Sequence, residues 1–159
     1  MKVQRWEEIL KRGVSGYVIL LDVDGTLLPD GEREVSEKIK GYIETLKKDN
    51  KVYLLSNSGT KGRVGRVSSE LNIPRLETPY KKPNPAIKRA LPQNGMPILV
   101  IGDKLMIDGI LAMLIGAKLF DYETGTVTQG QVVCEDRISL GRPNVFPIEA
   151  FYTRIGKLR

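Results

Sequence analysis

The sequence predicts an α/β protein: a three-layer, doubly wound, Rossmann-like fold around a mostly parallel sheet. Three observations predict it. Tyr17-Val18-Ile19-Leu20-Leu21, Lys51-Val52-Tyr53-Leu54-Leu55 and Pro97-Ile98-Leu99-Val100-Ile101 are largely apolar runs without alternation, as in strands buried on both faces. Helical stripes separate them, and strands alternating with helices build parallel sheets. The 159 residues allow one domain and little more. Residues 1–159 are therefore read as a single domain. Its motif-bearing core spans about 13–119, and 120–159 is expected to complete the sheet and add a terminal helix.

In chain order, Val3, Trp6, Ile9 and Leu10 fall at helical spacing and Gly13 stops the helix. After the first strand, Ile39, Tyr42, Ile43 and Leu46 make a stripe over residues 36–50, with Lys47 and Lys48 at the end that favours cations. A shorter helix over 62–71 turns Val64, Val67 and Leu71 inward. Asn84-Pro85 pairs an N-cap with proline at the first helical position and opens a helix through Ile87, Ala90 and Leu91. A helix through Ile110, Leu111, Met113 and Leu114 ends at Gly116. Residues 117–120 and 131–134 read as shorter strands around a glycine-containing turn, and Pro147 opens a last helix with Ile148, Phe151, Tyr152 and Ile155.

Composition excludes several function classes. The chain has no histidine, so histidine triads, histidine phosphoacceptors and Cys/His zinc sites are out. Its single cysteine, Cys134, forms no internal disulfide and reads as an inert core residue. Acid–base work falls to carboxylates, Lys or Tyr. No apolar run approaches the ~20 residues of a membrane span, and the first residues do not resemble a signal peptide. A cytoplasmic protein is expected, with peripheral contact at a membrane surface as the alternative. The net charge of +6 is spread along the chain, so ordinary solubility charge is preferred to a nucleic-acid-binding face.

In open parallel sheets, ligands bind beyond the carboxyl ends of the strands. The polar groups that follow the buried strands are Asp22 and Asp24, then Ser56 and Asn57, then Asp103. Asp22 and Asp24 are two apart on extended chain and face one cleft, while Val23 turns away. Gly25 allows the sharp turn that follows. Asp103 and Asp108 add two more acids to the same edge. Hard oxygen ligands without His or Cys suit Mg²⁺. Ser56 offers a hydroxyl, Asn57 an amide and Lys82 a fixed positive charge. Such a set fits a transferring phosphoryl group, whose chemistry depends on positioning and charge neutralisation.

Leu20-Leu21-Asp22-Val23-Asp24-Gly25-Thr26-Leu27, Leu54-Leu55-Ser56-Asn57, Lys82-Pro83 and Ile101-Gly102-Asp103 through Asp108 resemble, in order, the four motifs of the haloacid dehalogenase-like superfamily. Ser56-Asn57-Ser58 through Arg66, Ile73-Pro74 and Lys81-Lys82-Pro83 further resemble its small subfamily IIIA phosphatases that act on phosphatidylglycerophosphate. The resemblance implies a phosphatase in which Asp22 is the nucleophile and forms a phosphoaspartyl intermediate. It implies that Asp24 protonates the leaving oxygen and later activates water. Ser56, with Asn57, would hold the phosphoryl group, and Lys82 would steady Asp22 and the phosphoryl charge. Mg²⁺ would rest on Asp22, the backbone carbonyl of Asp24, and Asp103, with Asp108 beside it or in support. The intervals after the first and second motifs are too short for an inserted cap domain. An open site suits a bulky phosphorylated partner, such as a lipid headgroup, although a neighbouring subunit of a homo-oligomer would also close it.

Each residue also has a structural reading. Asp24-Gly25 is a common turn pair, Asp108 suits a helix cap, and Lys81 replaces Lys82 if the register slips by one. Trp6 with the surrounding basic residues suits an interfacial membrane helix, but packing on the sheet is the preferred reading. Lys61, Arg63 and Arg66 are read as a solvated helix face in preference to a grip on a second phosphate. Two other functions use the same chemistry: a phosphoryl-receiver signalling module, and a basic binding protein without catalysis. Multiple turnover of a phosphomonoester separates both from a phosphatase.

Overall fold

The computed structural model describes residues 2–29, 32–58, 61–121 and 126–129. All four residues of β1 (Val18–Leu21) are buried, as an unbroken apolar run requires of a central strand. It lies between β2 (Lys51–Leu54) and β3 (Ile98–Gly102) and is parallel to both. β4 (Lys118–Asp121) extends the parallel sheet from β3, and β5 (Thr126–Gln129) closes the edge antiparallel to β4. The mostly parallel sheet is as expected. The last strand differs, since Thr126–Gln129 falls where a turn was expected. Thr-Val-Thr alternates as a one-sided antiparallel strand does, and the hairpin supplies its partner. The strand expected at 131–134, Cys134 and the helix expected after Pro147 lie outside the described residues.

The strand alternation sorts the core into two layers. Ile19, Leu21, Val52, Leu54, Leu99 and Ile101 pack with α1 (Lys2–Lys11), α2 (Glu37–Asp49) and α3 (Lys61–Leu71). Val18, Leu20 and Val100 face the other way, onto a short 3-10 helix (Pro85–Ala90) and α4 (Ile110–Ile115). Helices therefore cover both faces of the sheet. Trp6 and Ile9 are fully buried in the first layer, so α1 packs on the sheet as preferred. Burying a side chain of this kind is worth roughly 1.5–3 kcal/mol, which outweighs the pull of the flanking charges toward an interface.

Local signals hold at most boundaries. Ser36 caps α2 by accepting the Ile39 N–H at 3.4 Å, and Gly116 ends α4 in the left-handed conformation. Asn84 caps its helix through the Ala86 N–H at 2.9 Å, but that helix is 3-10 and not α. A π-turn, Leu105–Gly109, precedes α4 and directs Asp108 inward. Between β1 and β2 the described residues form α2 alone; between β2 and β3 they form α3 and the 3-10 helix.

This topology fixes the place of any site. The chain leaves β1 to one side for β2, then crosses back over it to β3. The strand order reverses between β1 and β3, and their carboxyl ends border a crevice there. Leu21 is in register with Ile101, and the Asp22 N–H donates to the Ile101 carbonyl at 3.0 Å. On the other side, the Leu55 N–H donates to the Leu21 carbonyl at 2.9 Å, which brings Ser56 to the same edge.

Candidate active site

A cleft of about 370 Å³ opens at this edge. Asp22, Asp24, Ser56, Asn57, Ser58, Lys82, Lys104 and Ile107 line it. Asp22 and Asp24 reach it from the loop after β1. Gly25 turns that loop at φ +82°, and its N–H donates to the Leu28 carbonyl at 2.8 Å. A methyl group at Gly25 would collide with the Asp103 carboxylate. The glycine thus supplies both the left-handed turn and the room that lets the β1 and β3 acids approach. Gly102, in extended backbone, likewise leaves room for Asp108, whose carboxylate would meet a Cβ at that position.

Three acids converge. Asp22, Asp103 and Asp108 each bring a carboxylate oxygen within 4.8 Å of the others. Lys82 enters from the opposite strand connection and is itself buried. Its Nζ lies 2.9 Å from Asp22 Oδ1 and donates to Asp108 Oδ1 at 2.6 Å. Burial pulls the Lys82 ammonium down, but Asp108 and Asp22 outweigh it and hold the group above the ordinary lysine value. Lys81 is exposed, and Lys82 is the lysine that meets the acids.

With all three carboxylates ionised, one ammonium would leave two net negative charges, which one divalent cation would balance. Burial, followed by the charge of Asp22, raises the Asp103 carboxyl to about 6. Its Oδ1 is buried without a hydrogen-bond partner among the described residues. An all-oxygen donor set with an unpartnered, destabilised carboxylate fits Mg²⁺.

Asp108 differs in its surroundings. Its Oδ1 takes the Lys82 ammonium, and its Oδ2 accepts the Lys104 N–H at 3.2 Å. Burial raises its carboxyl, and Lys82 opposes the shift. The alternative reading of Asp108 as a helix cap fails, since α4 has no side-chain cap. The π-turn points the carboxylate back at the site instead. With both oxygens engaged, Asp108 is placed to orient Lys82 and support the acid cluster from behind.

Asn57, expected to offer its amide to an anion, directs both ends of that amide to the backbone of Lys82. Nδ2 donates to the Lys82 carbonyl at 2.8 Å, and Oδ1 accepts the Lys82 N–H at 2.7 Å. That pairing locks the lysine's loop to the end of β2. Ser56 Oγ donates to Asp24 Oδ2 at 3.4 Å and accepts the Ser58 N–H at 3.1 Å. The Asp24 carboxylate stands outside the acid cluster, with its Oδ1 3.3 Å from Arg63 Nε. Arg63, expected on a solvated face, is thus half-buried beside a site acid, whereas Arg66 is exposed as expected. Lys104 in the lining was not anticipated at all. It directly follows Asp103, so the same rule of polar residues after a buried strand would have found it.

A family model described as mitochondrial PGP phosphatase matches residues 6–127, most of the chain and every residue of this site. The chain belongs to that family. It is accordingly a haloacid dehalogenase-like phosphatase, a phosphoric monoester hydrolase, as the four motifs imply. No curated protein and no solved structure matches the phosphatase. Among its described residues, no helix is long and apolar enough to cross a membrane.

Proposed function

We propose that the phosphatase is Mg²⁺-dependent and hydrolyses a phosphomonoester on a lipid headgroup, phosphatidylglycerophosphate being the substrate its family's description suggests. The observation that carries the reading is the position of Asp22. Its carboxylate lines the cleft, is held by the buried Lys82 ammonium, and shares an edge with two further acids. Asp22 and Asp103, with the backbone carbonyl of Asp24, would hold the ion. Bound there, Mg²⁺ supplies positive charge that offsets the negative phosphoryl oxygens.

The residues then divide the work. An Asp22 oxygen attacks phosphorus while the bond to the leaving oxygen breaks, and its electron pair goes to that oxygen. Asp24 passes its proton to the leaving oxygen, which departs as an alcohol, and Asp22 is left phosphorylated. Water then attacks phosphorus, Asp24 takes its proton and so regains its acid form, and the bond to Asp22 breaks to release phosphate and restore the Asp22 carboxylate. The Ser56 hydroxyl is placed to donate to a phosphoryl oxygen, and Asn57 contributes by holding Lys82 in place. A donor or ammonium aimed at developing charge commonly contributes 10²–10³-fold, about 2.7–4 kcal/mol.

We read the site as capless, since only α2 and the α3 region occupy the intervals where a cap would insert. An uncovered cleft suits a headgroup still anchored in its bilayer, met at the membrane surface. A phosphomonoester screen with Mg²⁺ tests this reading, using phosphatidylglycerophosphate in micelles, a sugar phosphate and a 3′-phosphorylated oligonucleotide. Selective release of phosphate from the lipid is expected. Preference for the sugar or the oligonucleotide would overturn the substrate class, and no turnover of any would overturn the proposal.

A further inference from the structure

Both oxygens of Asp24 have partners. Ser56 Oγ donates to Oδ2 at 3.4 Å, and Arg63 Nε stands 3.3 Å from Oδ1. The two partners differ in where they sit. Ser56 lines the cleft, whereas Arg63 is absent from the lining. Arg63 Nε is buried and makes no aligned hydrogen bond among the described residues, and the Asp24 carboxyl is the group it faces at 3.3 Å. The helix that carries it is firmly seated: Val64 and Val67 on α3 are buried in the core.

We propose that Arg63 is a positioning residue that acts through Asp24. The guanidinium retains Oδ1, so that Oδ2 is the oxygen presented to the cleft and to the leaving group. Ser56, on turning its hydroxyl to a phosphoryl oxygen, vacates Oδ2. The inference rests on the proton-donor role proposed for Asp24. In that step the proton on Oδ2 passes to the leaving oxygen as its bond to phosphorus breaks, and the carboxylate left behind lies beside a permanent cation. Without Arg63 the side chain regains rotamer freedom, and a misplacement of ~1 Å can cost about 10²-fold in rate. Lysine replaces the charge but not the planar fork.

The role predicts a dependence on the leaving group that a merely structural arginine would not give. An alkoxide needs the Asp24 proton to depart, whereas nitrophenolate departs nearly unaided. The test measures kcat of the full chain with Mg²⁺ on phosphatidylglycerophosphate in detergent micelles and on p-nitrophenyl phosphate. For Arg63→Ala, a loss of about 10²-fold is expected on the alkyl ester, exceeding the loss on the aryl ester at least about tenfold. Arg63→Lys should recover part of it, and it serves for the comparison if the alanine variant does not fold. In an Asp24→Asn background, Arg63→Ala should add little, because the two act as one unit. Equal losses on both esters, or full losses on top of Asp24→Asn, would overturn the proposal and leave the phosphatase reading intact. If the wild-type protein hydrolyses neither ester, the reading fails and the inference falls with it.

Discussion

Among the described residues, Lys82→Met removes the one ammonium within hydrogen-bonding reach of both Asp22 and Asp108. Methionine fills much the same volume, so packing changes little while the charge balance changes sharply. Three carboxylates within 4.8 Å of one another would then lose the ammonium that pairs with two of them. Losing one partner of a buried pair costs about 3–5 kcal/mol, because the remaining charge stays desolvated and uncompensated. In a domain of this size each kcal/mol moves the melting temperature by about 2–4 °C. The expected fall is therefore about 6–20 °C at pH 7 in EDTA, read by circular dichroism. Mg²⁺ should restore part of it, and so should Lys82→Met combined with Asp108→Asn, which removes one of the opposed charges. Melting at the wild-type temperature in EDTA would refute the view that this lysine balances the acids.

Three further outcomes follow from the same geometry. Gly25→Ala forces a side chain into a left-handed position, at about 1–2 kcal/mol, and into the Asp103 carboxylate. The Mg²⁺ concentration for half-maximal activity should rise about tenfold or more, and an unchanged metal titration would contradict the assigned crowding. Asp103 titrates near 6 in the metal-free protein, above its unfolded value. The native state therefore binds that proton more readily, so metal-free stability should decline as pH rises from about 4 through 6. Mg²⁺ affinity should weaken about tenfold per pH unit below about 6, because the ion must displace the proton. Calorimetric titration at several pH values checks this, and a flat profile would exclude Asp103 as a ligand. Lys104 is exposed in the cleft lining, and its hydrogen bonds with Asp108 are made by its backbone. Lys104→Gln should raise KM for an anionic substrate several-fold at low salt with kcat nearly unchanged, the effect fading at high ionic strength. A loss confined to kcat would place that ammonium on the reacting phosphoryl group instead.

The sheet and its acids were legible because they rest on short-range rules. An apolar run buried on both faces announces a central parallel strand, and the first polar residues after it mark the crevice. Asp22, Asp24, Ser56 and Asp103 follow directly. Arg63 was not legible, since its neighbour Val64 defines an amphipathic stripe that assigns an adjacent arginine to solvent. Its approach to Asp24 depends on where the first turn of α3 docks, a tertiary fact that no periodicity carries. Asp108 was found, but whether it capped a helix or supported the acid cluster stayed open. The choice between a cap and an inward carboxylate turns on a π-turn that nothing in Leu105-Met106-Ile107-Asp108-Gly109 signals. The hairpin strand Thr126–Gln129 was obscured by Gly125 and Gly130, which read as turn residues and in fact bound a strand between them.

The most direct test is to trap the phosphorylated enzyme. The protein would be mixed with ³²P-labelled substrate and Mg²⁺ and quenched in acid, and a parallel sample would be reduced with borohydride, which releases the phosphate and leaves homoserine to mark the labelled position for mass spectrometry. Label at Asp22, sensitive to hydroxylamine and absent from Asp22→Asn, is the result expected. Label on Ser56, or full turnover with Asp22 never labelled, would contradict the assignment of Asp22 as nucleophile.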